Sequence, residues 1–162
     1  MKSTLDVRNF TRRRAPGLPY QKIAEAILPG WDISLVFAGE IRAQKLNMQL
    51  RNKDYVPNVL SYETSSTKKE RSGEIIICPQ IAKRQAPDYE LSPSHFIGFL
   101  FIHGLLHLKG LPHGTTMDRY EREYMSRFIN VRTSHPHAPT NRNRNRHRNA
   151  PDESRGGRRG GH

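Results

Sequence analysis

His103, His107 and His113 are the residues in this chain whose type and spacing could hold a catalytic metal ion. They lie in the run Ile102-His103-Gly104-Leu105-Leu106-His107-Leu108-Lys109-Gly110-Leu111-Pro112-His113-Gly114, as His-x3-His-x5-His. Four residues make about one helical turn, so the first two imidazoles leave one face of a helix. Gly110 is suited to the left-handed conformation that ends a helix and turns the chain back, a reversal that returns His113 to the other two. Three imidazoles with no fourth protein ligand form the donor set of a catalytic zinc, whose open position takes water. Burying three imidazoles in so apolar a segment is costly unless each finds a partner.

The helix that carries them has a clear start. Ser92 suits the N-cap, Pro93 the first helical position, and Leu91 and Phe96 are placed to close a hydrophobic staple. From Pro93 to Lys109 such a helix is about 25 Å long and apolar nearly all round, so it should run through the core. Upstream, Leu5 to Asn9 reads as a short strand. Leu18 to Leu28 has helical spacing stopped by Pro29-Gly30, and Ile33 to Phe37 is β-branched and apolar. Ile41 to Leu50 reads as a helix with Ile41, Lys45, Leu46, Met48 and Leu50 on one broad side. Val59 to Tyr62 is a short strand, Thr64 to Ser72 a polar exposed loop, and Ile81 to Ala86 a short helix. Glu74 to Cys78 is apolar on both faces, which predicts a central strand. A last helix, Thr116 to Val131, carries Tyr120, Tyr124, Met125, Phe128 and Ile129 as a stripe between arginines and glutamates. This order reads as α+β or α/β around one small mixed sheet.

The 162 residues bear a net charge of +12. Residues 135–162 hold seven arginines against Asp152 and Glu153, a net +5 that leaves +7 on residues 1–134. That tail has no large apolar side chain and reads as disordered, which makes residues 1–134 the folded domain. Its charge suits a tether to a polyanion such as nucleic acid. A folded part that is itself basic favours a polyanion, most simply nucleic acid, and Arg12, Arg13, Arg14, Lys53, Lys68 and Lys69 are the candidate RNA contacts. The single cysteine, Cys78, permits no internal disulfide and reads as a buried thiol in a reducing cytosol. No stretch reads as a signal peptide or a membrane span.

The metzincin zinc proteases share the spacing His-x3-His-x2-Gly-x2-His but carry glutamate after the first histidine as general base; here that position is Gly104. The histidine block resembles instead the signature of the YbeY family of metal-dependent endoribonucleases. A second block is similar to that family too: Leu46-Asn47, Leu50-Arg51-Asn52-Lys53-Asp54 and Asn58-Val59-Leu60-Ser61-Tyr62, as is Gly73-Glu74-Ile75. The likeness runs over residues 3–132. Pro112 departs from it, standing where the family usually has aspartate, and so does Tyr55-Val56-Pro57-Asn58, with proline one place late.

The resemblance implies a single α+β domain with a small mixed sheet of about four strands, about five helices and a central histidine-bearing helix. It implies one zinc ion on His103, His107 and His113, with Arg51 functionally essential. His103 is also a catalytic candidate, though a ligand first. The implied activity is cleavage of single-stranded RNA in the cytoplasm, in maturation of the small-subunit ribosomal RNA 3′ end and in ribosome quality control. RNA and the small ribosomal subunit are then the partners, with no membrane and no DNA. Independently, a guanidinium at position 51 can hold two phosphate oxygens as charge develops on them. The rival readings are a non-catalytic zinc-containing RNA-binding assembly factor and a zinc protease.

Overall fold

A computed structural model describes residues 2–131. Four strands, β1 (Thr4–Asn9), β2 (Asp32–Phe37), β3 (Val59–Ser66) and β4 (Arg71–Ile77), form one sheet in the order β1-β2-β4-β3. β1, β2 and β4 are parallel, and β3 runs antiparallel to β4 along the edge. Five α-helices accompany it: α1 (Tyr20–Ile27), α2 (Glu40–Arg51), α3 (Pro79–Gln85), α4 (Pro93–Leu108) and α5 (Thr115–Tyr124). The architecture is thus α+β with a mixed sheet, and β4 is an interior strand as its doubly apolar pattern requires.

Alternation along the strands builds two cores. Ile33, Leu35, Phe37, Ile75 and Ile77 face the larger one with α1, α4 and α5. Val36, Leu60 and Ile76 face the other, where Leu46 of α2 and Tyr62 pack on them. The central helix α4 buries eleven of its sixteen residues. Ser92 caps it, its hydroxyl accepting the His95 N–H at 3.2 Å, and a cap of this type contributes about 1 kcal/mol. Gly104 lets α4 lie close on the sheet: a Cβ there would stand 3.2–3.4 Å from the Ile75 side chain. Among the described residues no single helix is long and apolar enough to cross a membrane.

Three expectations need correction. Thr64 to Ser72 is not a loop: β3 runs on to Ser66 and β4 starts at Arg71, which leaves only a tight turn at 67–70. Polar cross-strand pairs hold this hairpin, Arg71 to Glu63 at 2.9 Å and Thr64 to Ser72 at 2.7 Å, and Thr67 closes the turn. In α2 the buried face is Ala43 and Asn47, while Ile41, Met48 and Leu50 are 74%, 46% and 44% exposed. The small Ala43 packs against Cys78 and Ile81, and Asn47 against the following loop, so the helix is rotated from the side its larger apolar residues define. The last helix is α-helical only to Tyr124, then widens into one π-helical turn, Met125–Ile129, closed by Asn130 in the left-handed region (φ 56°). The proposed domain boundary at 134 and the basic tail lie outside the described residues.

Candidate metal centre

α4 presents His103 and His107 one turn apart. Beyond its end Gly110 takes φ +101°, the Gly110 N–H donates to His107 O at 2.9 Å, and the Leu111 N–H to Leu106 O at 3.1 Å. This reversal delivers His113 through Leu111 and Pro112. The three ring centroids lie 4.4, 4.5 and 5.1 Å apart, and one ring nitrogen from each falls within 4.8 Å of the others. The structure therefore gathers the three histidines that their spacing singled out.

Hydrogen bonds behind the rings fix which nitrogens face inward. His107 Nδ1–H donates to the Leu111 carbonyl at 3.1 Å. His103 Nδ1 meets Glu121 Oε1 at 2.6 Å, and a carboxylate there accepts the ring proton. With both Nδ1 atoms protonated, both Nε2 atoms carry lone pairs, and these face each other at 2.9 Å. Two converging lone pairs repel unless a cation lies between them, so the donor set fits a metal ion. Burial, then the neighbouring His103 and His113, push the His107 pKa down to about 4. The ring thus stays neutral and able to ligate at physiological pH.

Glu121 is the residue missed in the sequence. Its side chain is only 6% exposed, on the inner side of α5 between Met117 and Met125. The signal was its register, because residues 117, 121 and 125 share one helical stripe with the two methionines. It supplies a carboxylate that orients the His103 ring. Glu121→Gln should weaken metal affinity by about 10–100-fold in a chelator competition. Unchanged affinity would show that the contact does not support the ligand.

Arg51 is the last residue of α2 and is exposed. Its charge reaches the centre, since it contributes to lowering the proton affinity of His107. Asp54, its nearest acid in sequence, instead accepts from Gln44 Nε2 at 3.0 Å. The chain leaves α2 through Asn52 in the left-handed region (φ 53°), and the fully buried Asn47 holds the loop by donating Nδ2–H to Tyr55 O at 3.0 Å. Of the weaker candidates, Arg12, Arg13 and Arg14 are exposed just beyond β1, Lys53 beside Arg51, and Lys68 and Lys69 at the tip of the β3–β4 hairpin. They follow three different elements, and only Lys53 adjoins Arg51 in the chain. Cys78 is buried, and burial pushes its thiol pKa up.

Known proteins match over the same region. The family model described as Endoribonuclease YbeY covers residues 8–130. The Endoribonuclease YbeY of Bdellovibrio bacteriovorus is 35% identical over 99 residues, 61% of this chain and 65% of that protein. That of Staphylococcus carnosus is 34% identical over 112 residues, 64% of this chain and 73% of that protein. The match thus spans just under two thirds of the Bdellovibrio protein's length. The solution structure of TM1509 from Thermotoga maritima superposes with a TM-score of 0.55 at 18% identity, covering 96% of this chain and 100% of that one, a likeness of fold.

Proposed function

The chain belongs to the YbeY endoribonuclease family, and from that premise we propose that it is a zinc-dependent endoribonuclease cutting single-stranded RNA. One observation carries the proposal: imidazole nitrogens of three histidines converge, two of them locked by hydrogen bonds behind the ring.

His103, His107 and His113 would hold the ion. Zinc bound to three imidazoles supplies a Lewis acid and lowers the pKa of a coordinated water. Glu121 keeps His103 in the tautomer that presents Nε2, and the Leu111 carbonyl does the same for His107. Arg51 pairs with the non-bridging phosphate oxygens as their negative charge grows. Lys53, exposed two residues beyond Arg51, adds a second positive charge for the strand.

The surroundings argue against a protease. At position 104, where the protease carries its glutamate base, the chain has glycine, and a Cβ there would stand only 3.2–3.4 Å from the Ile75 side chain of the sheet. A structural zinc is normally closed by four protein ligands, and here three nitrogens converge without a thiolate among the described residues.

We assign the substrate to ribosomal RNA in the cytoplasm, at the 3′ end of the small-subunit RNA and in quality control of assembled subunits. The family membership and the net charge of +12 support that assignment. Stripping the protein with a chelator should abolish cleavage of a single-stranded RNA, and returning zinc should restore it. Undiminished cutting by protein shown to be metal-free would overturn the mechanism.

A further inference from the structure

The sheet face turned away from α4 is only partly covered by α2, and a groove of about 310 Å³ opens beside the helix. Arg8, Ser34 and Glu74 come to it from three adjacent strands, Phe10 from just past β1, and Arg42 and Leu46 from α2. None of these belongs to the metal centre.

Phe10 is 53% exposed and joins neither core. Instead the Arg42 guanidinium lies over it, 4.1 Å from the ring centre. The pair is a flat, cationic platform of the kind on which nucleobases stack. Glu74 spends Oε1 on the Tyr62 hydroxyl at 2.7 Å, and among the described residues no donor reaches its other carboxylate oxygen. Arg8 uses Nε on Asp6 at 3.0 Å, which leaves its terminal nitrogens for an anion. A stacking surface, an acceptor and a cation surround a space at the small end of ligand sites, which begin at about 300 Å³.

We infer that this groove binds one nucleotide of single-stranded RNA, its base on the Phe10–Arg42 platform and its exocyclic amine donating to Glu74. The inference rests on the reading that the substrate is RNA, and it adds base selectivity. Cytosine, adenine and guanine carry such an amine and uracil does not, while a carboxylate accepts well from the cytosine amine. Arg8 meets the phosphate.

Fluorescence anisotropy of the metal-loaded full chain with twelve-nucleotide oligocytidine and oligouridine tests this. The wild type should prefer oligocytidine, and the double variant Phe10→Ala, Arg42→Ala should bind it about fivefold more weakly or worse, the loss of one stacked base. Glu74→Gln should narrow the preference over oligouridine, with Tyr62→Phe as the control for the lost hydroxyl contact. Phe10 and Arg42 are exposed, so the double variant should keep its fold and full metal content. Equal oligocytidine binding by that variant overturns the inference. So does cytidine monophosphate binding as tightly as the oligomer, which would mark a free-nucleotide site. RNA binding kept by the double variant together with lost cleavage in metal-stripped protein would leave the enzyme reading standing and remove this groove alone.

Discussion

Replacing His107 by alanine should remove the bound metal and lower single-turnover RNA cleavage on the order of 10³-fold or more, because Lewis-acid stabilisation is worth several kcal/mol. His107 is the centre of the trio, since its ring lies within 4.5 Å of both others while His103 and His113 are 5.1 Å apart. Without it the two remaining imidazoles are the farthest-separated pair. The melting temperature in the presence of zinc should fall as well, because an ion that binds only the folded chain stabilises it by mass action. In the presence of chelator the wild type and the variant should melt much closer together. The measurements are metal per chain by atomic spectroscopy and cleavage of a labelled oligoribonucleotide. A variant that keeps one ion per chain and cuts at the wild-type rate would remove the trio from the mechanism.

How far this centre can be read from sequence depends on how local its parts are. The three histidines span eleven positions, and the geometry joining them is one helical turn plus one glycine reversal, both set by rules of short range. Glu121 is harder because its meaning is tertiary. A glutamate in a helix rich in arginine and glutamate reads as solvated, and only the register it shares with Met117 and Met125 marks it as inward. In α2 the larger apolar residues Ile41, Met48 and Leu50 define one side by pattern, yet the helix docks through Ala43 and Asn47. Close approach there favours a small residue, and the buried amide is engaged with the loop carbonyl of Tyr55. The polar β3–β4 hairpin is equally hard to read, for a related reason. Its stability lies in cross-strand ion and hydroxyl pairs rather than in alternation of apolar side chains.

The packing of α4 also separates chemistry from scaffold. His103 and His107 occupy the face turned to α5 and the His113 loop, whereas Gly104 and Leu108 bear on Ile75 and Gly73 of β4. A Cβ at Gly73 would stand 2.7 Å from Leu108 Cδ1, so both contact points on β4 and α4 depend on the small residue. The same close seat, with glycine at positions 73 and 104, sets the height of His103 and His107 above the sheet. The helix is therefore a rigid mount, of the kind a metal site needs for a reproducible geometry.

Arg51→Ala should retain full metal content and most of its RNA affinity, and lose about 10²–10³-fold in single-turnover cleavage, the range for removing one donor aimed at developing charge. The reason lies in where the residue sits and what it does not do. It ends α2, where the helix dipole alone would favour a cation, so its position by itself proves no function. Asp54 would be its natural partner, but that carboxylate is taken by Gln44. The guanidinium is thus left facing solvent, with its charge felt at His107. Removing it lifts one of the influences that depress the His107 proton affinity, so the ring should become slightly more basic and hold a cation no more weakly, in keeping with full metal content. Arg51→Lys should recover only part of the activity, since an ammonium keeps the charge without the two-pronged donor geometry. If Arg51→Ala binds metal and RNA and cuts at the wild-type rate, the transition-state role is gone. If instead both Arg51→Ala and Arg51→Lys lose RNA binding in proportion to cleavage, Arg51 is a strand contact and not a stabiliser of the reacting phosphate.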